Sequence, residues 1–87
     1  MRFSVCGQYH IVNNKKEKVG NCVNIKSTCV DKEGMFEDLV EKLRAKSFRC
    51  DMYFEAGFKV CEVFVDDEEL DEFKQLYLKH KREWRKH

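Results

Sequence analysis

The chain has 87 residues, with 17 basic and 16 acidic side chains for a formal net charge of +1, and 43% of it is hydrophobic, with seven Phe and no Pro. This balance argues against a wholly acidic nucleic-acid mimic and against a strongly basic nucleic-acid coat, and the apolar content argues for a packed globule rather than a disordered chain. No apolar run approaches the roughly 18 residues that span a bilayer, and Met1-Arg2-Phe3-Ser4-Val5 lacks a charged segment followed by an apolar one, so the reading is a single domain over residues 1–87, intracellular and cytoplasmic, with no membrane partner.

Residues 2–12 alternate as a strand with one buried side does. Phe3, Val5, Tyr9 and Ile11 share one face with Gly7, and Arg2, Ser4, Gln8 and His10 share the other with Cys6. Asn13-Asn14-Lys15-Lys16-Glu17 interrupts the pattern with residues suited to turns, and residues 18–26 resume it with Val19, Val23 and Ile25 on one side. A hairpin keeps both apolar sets on the same side. That condition sets Ile11 opposite Val19, Gly7 opposite Val23 and Val5 opposite Ile25, with Asn14-Lys15-Lys16 as the loop.

Asp31 is a good helix N-cap, and Met35, Phe36, Leu39, Val40 and Leu43 then recur at the spacing of an amphipathic helix. Phe48, Cys50, Met52 and Phe54 alternate as a third strand. A two-residue Ala56-Gly57 turn would force Ala56 to positive φ and set Asp51 against Glu62, so the expected loop is the three-residue Glu55-Ala56-Gly57. It pairs Phe54 with Phe58, Met52 with Val60 and Phe48 with Phe64. The opposite face then carries Tyr53, Cys61, Val63 and Val65 beside Arg49, Asp51 and Lys59. The last helix opens at Asp66, with Glu69 completing a capping box. Leu70, Phe73, Leu76, Tyr77 and Trp84 form its apolar stripe, with His80 along it. Its first seven residues hold six acids and its end is basic, which suits both ends of the helix dipole.

Residues 30–37 align without gaps on residues 65–72, sharing Val, Asp, Glu and Glu and matching Met35 to Leu70. Each copy follows a pair of strand-like runs, the mark of a possible internal duplication. The expected fold is α+β: a four-stranded antiparallel sheet built from two β-hairpins, with two helices on one face, in the order ββαββα.

The chemistry is sparse. Cys6, Cys22, Cys29, Cys50 and Cys61 are odd in number, and their separations of 16, 7, 21 and 11 contain no closely spaced ligand pair. The thiols are therefore expected reduced and metal-free, and no cofactor motif is present. Cys6, Cys22 and His10 share a face, but no oxyanion hole or orienting third group accompanies them, so no catalysis is expected of them. Two surfaces remain. The first is Tyr53, Cys61 and Val63 with Arg49 and Lys59, a partly apolar outer face suited to a protein partner or to a second copy of the chain. It makes the chain a small protein-binding module, a regulator or inhibitor; an accessory protein of viral or mobile-element type fits that profile. The alternative is nucleic-acid binding by the basic helix end, where Lys79, Lys81, Arg82, Arg85 and Lys86 surround Trp84.

Overall fold

The structure, a computed structural model, describes residues 1–85. Its elements are β1 (Arg2–Val12), β2 (Lys15–Lys26), α1 (Met35–Ala45), β3 (Cys50–Glu55), β4 (Phe58–Val65) and α2 (Asp67–Arg85). The four strands form one antiparallel sheet in the order β1-β2-β4-β3. The fold is α+β, two hairpins joined through β2 and β4, and the strand order is symmetric about that central pair. Among the described residues, no helix is long and apolar enough to cross a membrane.

Two turns decide which side of the sheet each residue faces. In the first, Asn13 and Asn14 both take left-handed backbone (φ 51 and 62), and Val12 pairs with Lys15. This is a two-residue turn of the type that matches strand twist, in place of the three-residue Asn14-Lys15-Lys16 loop. By itself it would set Val5 against Cys22 and turn the apolar side of β2 away from the core. A bulge between Gln8 and Tyr9 corrects this. Tyr9 pairs with Lys18 and Gln8 with Gly20, so Val19 has no register partner, and from there Val5 meets Val23 and Phe3 meets Ile25. The expected faces survive in a register shifted by two residues.

The second turn reverses an expectation. Ala56 (φ 52) and Gly57 (φ 82) form a two-residue turn, Glu55 pairs with Phe58, and Asp51 does face Glu62. Positive φ at an alanine costs about 1–2 kcal/mol. Against that stand Cys61, Val63 and Val65, which this register turns inward and buries at 2% exposure or less. A fully buried Val contributes about 1.5–3 kcal/mol, so the three together outweigh the strained turn. The longer loop would have pointed Glu62 at the core instead. On the outer face, Glu62 accepts a hydrogen bond from the Tyr53 hydroxyl at 3.0 Å.

Helix α1 starts later than expected. Asp31 does not cap it. Its carboxylate accepts from the Thr28 amide (2.8 Å) and hydroxyl (3.0 Å), closing a turn, and lies 2.6 Å from the Met1 amino group. Gly34, in left-handed backbone at φ 83, occupies the cap position without a side-chain bond. Helix α2 begins directly after Asp66, where the Glu69 amide donates to the Asp66 carbonyl at 3.0 Å. The Asp67 carboxylate is held by Lys18 (2.8 Å) and by the buried Asn21 (2.9 Å), which fastens the start of α2 to β2.

Both helices pack on one side of the sheet. Phe36, Leu39, Val40 and Leu43 of α1 and Phe73 and Tyr77 of α2 close over Val23, Ile25, Cys50, Cys61, Val63 and Val65. Phe3 stacks on Tyr77 at 4.6 Å between ring centres, and Phe48 meets Phe73 edge-on at 5.3 Å. The long first hairpin outruns this cover. Beyond the bulge, Tyr9, Ile11 and Val19 are 53%, 77% and 51% exposed, and the molecule measures 51 × 28 × 17 Å. Residues 9–19 thus form an arm.

Candidate functional site

The five residues expected on one protein-binding face are divided by the second turn. Tyr53 lies on the outer face, opposite Val60 and 41% exposed. Its hydrogen bond to Glu62 favours the neutral hydroxyl and holds the phenol above its ordinary pKa. Cys61 and Val63 are fully buried in the core and present nothing to a partner. Lys59 points to the helix side and pairs with Glu37 of α1. Arg49 is exposed in the loop before β3. The expected surface therefore does not exist as a unit. What the outer face carries is mixed: Phe64 is 54% exposed, Lys26 lies 5.5 Å above the Phe58 ring, and Val60 is buried between its neighbours. A shallow depression there has a mixed lining, with Phe3, Tyr53 and Val60 beside Arg2, Lys26 and Glu62.

The basic helix end is also less available than its composition implies. Trp84 is half-buried, its indole N–H donating to Asp38 of α1 at 3.0 Å and its ring lying against Gly34. Lys81 sits 5.7 Å over the Tyr77 ring, and Lys79 is 4.0 Å from Glu83. Arg82 and Arg85 are exposed; Lys86 lies outside the described residues.

Between the helices is a polar cluster that the sequence did not announce. His80 is 1% exposed. Its Nε2 lies 2.8 Å from the Met35 carbonyl, which can only accept, so Nε2 carries the proton. Nδ1 is then free to accept from the Lys42 ammonium at 3.1 Å. Lys42 also reaches Glu83 (3.0 Å) and Asp38 (3.2 Å), one acceptor for each of its three hydrogens. Burial, reinforced by the Lys42 charge, keeps His80 below its ordinary pKa and so neutral at pH 7. Burial alone would lower Lys42, but Glu83 and Asp38 outweigh it and hold the ammonium above its usual value. The indole bond comes first, and then Lys42, in holding Asp38 below the normal carboxylate range. The cluster joins α1 to α2.

The thiols are free, Cys6 and Cys29 exposed and Cys22, Cys50 and Cys61 buried. Cys6 and Cys22 are direct cross-strand partners on the outer face. His10 shares their side of β1 but pairs with Glu17 in the arm, four residues on from Cys6 and about 13 Å along the strand. Cys6, Cys22 and His10 thus do not converge, and no three potential metal ligands cluster among the described residues.

The feature sequence reasoning missed is the edge formed by β1. Sheets protect their edges with short strands and charged side chains. β3, the other edge, follows that rule, with six residues that include Asp51 and Glu55. β1 does not, having eleven residues of which Arg2 is the one fixed charge and none is proline. The missing charge was a legible signal; the arm's projection beyond α2 was not. No family model, characterised protein or solved structure matches the chain.

Proposed function

We propose that this chain is a small protein-binding module, a regulator or inhibitor acting without catalysis, and that it captures its partner along the open edge of β1 and the arm. The observation that carries the reading is the exposure of Tyr9 and Ile11 on an eleven-residue edge strand without proline or fixed charge beyond Arg2, with Val19 of β2 exposed beside them in the arm. Such an edge offers a row of backbone donors and acceptors to an extended segment, while side chains on alternate positions select among segments. Tyr9 and Ile11 project on the same side and would take apolar residues two apart. Lys15 and Lys16, near the turn, would favour an acidic residue beyond them.

The test is selection of displayed random peptides on the wild-type protein, with an Ile11→Lys variant as the counter-target. Ile11 is 77% exposed, so the variant keeps its fold, checked by circular dichroism. Selected peptides should share alternating apolar residues with an acidic flank, and should lose at least about tenfold in affinity on the variant, as loss of an interface anchor does. Peptides that bind both proteins equally would sink the reading. The second reading, nucleic-acid binding at the end of α2, rests on the exposed Arg82 and Arg85 with Lys79. It is weakened by the engagement of Trp84 with α1. Binding to DNA or RNA that falls steeply with salt, and less steeply once these three cations are replaced, would favour it.

A further inference from the structure

Cys6 and Cys22 face each other Cα to Cα on β1 and β2. Directly opposed residues on antiparallel strands have Cα atoms about 4.5–5.5 Å apart, inside the roughly 4.4–6.8 Å that a disulfide bridges. Cys6 is exposed on the edge strand, and Cys22 is 8% exposed beneath the same face. The chain holds a second thiol pair for contrast. Cys50 and Cys61 lie close together in the core, where Cys61 is fully buried and burial pushes its thiol up to about 12. The fully buried Cys61 offers an oxidant almost no thiolate, and neither member of that pair is exposed as Cys6 is.

We propose that Cys6 and Cys22 form a dithiol site that a low-molecular-weight disulfide of the glutathione class converts to a cross-strand disulfide. The exposed Cys6 thiolate attacks one sulfur of oxidised glutathione, forming a Cys6–glutathione mixed disulfide and releasing one glutathione thiolate, which takes up the proton that Cys6 lost. Cys22 then gives up its proton, and its sulfur attacks Sγ of Cys6. The Cys6–Cys22 bond forms and the second glutathione leaves as its thiol. Two protein thiols lose two electrons and two protons, and one glutathione disulfide gains them. Burial raises the Cys22 thiol, which fits its place as the resolving sulfur rather than the first attacker. The bond would tie β1 to β2 two residues from the bulge at Gln8/Tyr9, at the root of the arm. The site is independent of any partner reading.

The experiment incubates the native protein with oxidised glutathione, quenches with acid, blocks the remaining thiols and maps the peptides by mass spectrometry. The wild type should yield one cross-link, between Cys6 and Cys22, reversible by dithiothreitol, with a glutathione adduct on the exposed Cys29, which has no such partner, left unresolved. Cys22→Ser should stop at a glutathione adduct on Cys6. Cys6→Ser should react at Cys22 more slowly by about tenfold or more, as expected for a buried, thiolate-poor sulfur. A wild-type adduct on Cys6 that never resolves, a cross-link mapping to any other pair, or thiols that all stay free would each overturn the proposal.

Discussion

Replacing Ala56 by Asn should stabilise the protein. Ala56 and Gly57 are the two central residues of the β3–β4 turn, at φ 52 and 82. Left-handed backbone costs an ordinary L-residue about 1–2 kcal/mol, and Asn-Gly is a preferred pair for this turn because Asn tolerates that conformation. Ala56 is exposed, so the larger side chain displaces nothing. Asn should therefore recover part of the strain, about 0.5–1 kcal/mol. For a domain of this size that corresponds to a rise of roughly 2–8 °C in Tm. The assay is thermal melting followed by circular dichroism, with urea unfolding to confirm an unchanged slope. Gly57→Ala should lose stability in either a two- or a three-residue loop, so it serves as a control for sensitivity. Ala56→Asn separates the two loops, because only the two-residue turn holds Ala56 at positive φ. An Asn variant that melts at or below wild type would refute the turn, and with it the burial of Cys61 and Val63 that the register produces.

Two further outcomes follow from the same faces and from the inter-helix cluster. Val63→Asp places an unpaired charge at a fully buried position and should abolish the folded far-ultraviolet signal, whereas Tyr53→Ser on the outer face should stay within about 1 kcal/mol of wild type; equal effects would contradict the assignment of faces. For pH, the unfolded His80 binds its proton near pH 6.5 while the folded one, held lower by burial, still resists it. The unfolded state therefore takes up protons first, and stability should be full above about pH 6.5 and fall as pH drops toward the folded value. Asp38 and Glu83, both held below normal carboxylate values, add a second loss below about pH 4. Urea midpoints measured from pH 7.5 to 3 should show both limbs, and His80→Gln should remove the upper one; a variant that keeps the full upper limb would show that another group causes it.

The sequence by itself determined the element order, the α+β class and the inward faces of both helices. Those features depend on short-range spacing: Phe36, Leu39, Val40 and Leu43, like Phe73 and Tyr77, repeat at helical intervals whatever they pack against. The inward side of β1 and of the second half of β2 was legible for the same reason, since Phe3, Val5, Val23 and Ile25 alternate on their own. Only the tertiary structure decided the turn lengths, the bulge, the face of β4 and the fate of the candidate residues. A two-residue and a three-residue turn at Ala56 differ locally by about 1–2 kcal/mol, and the local terms alone favour the longer loop. The decision comes from three β4 side chains that reach the core only when β2 and both helices are already beside them, a sum several times larger. The same non-local packing seats Trp84 against α1 and His80 between the helices, and sets Cys6 opposite Cys22. None of those contacts joins residues near in the chain, so no periodicity could have announced them.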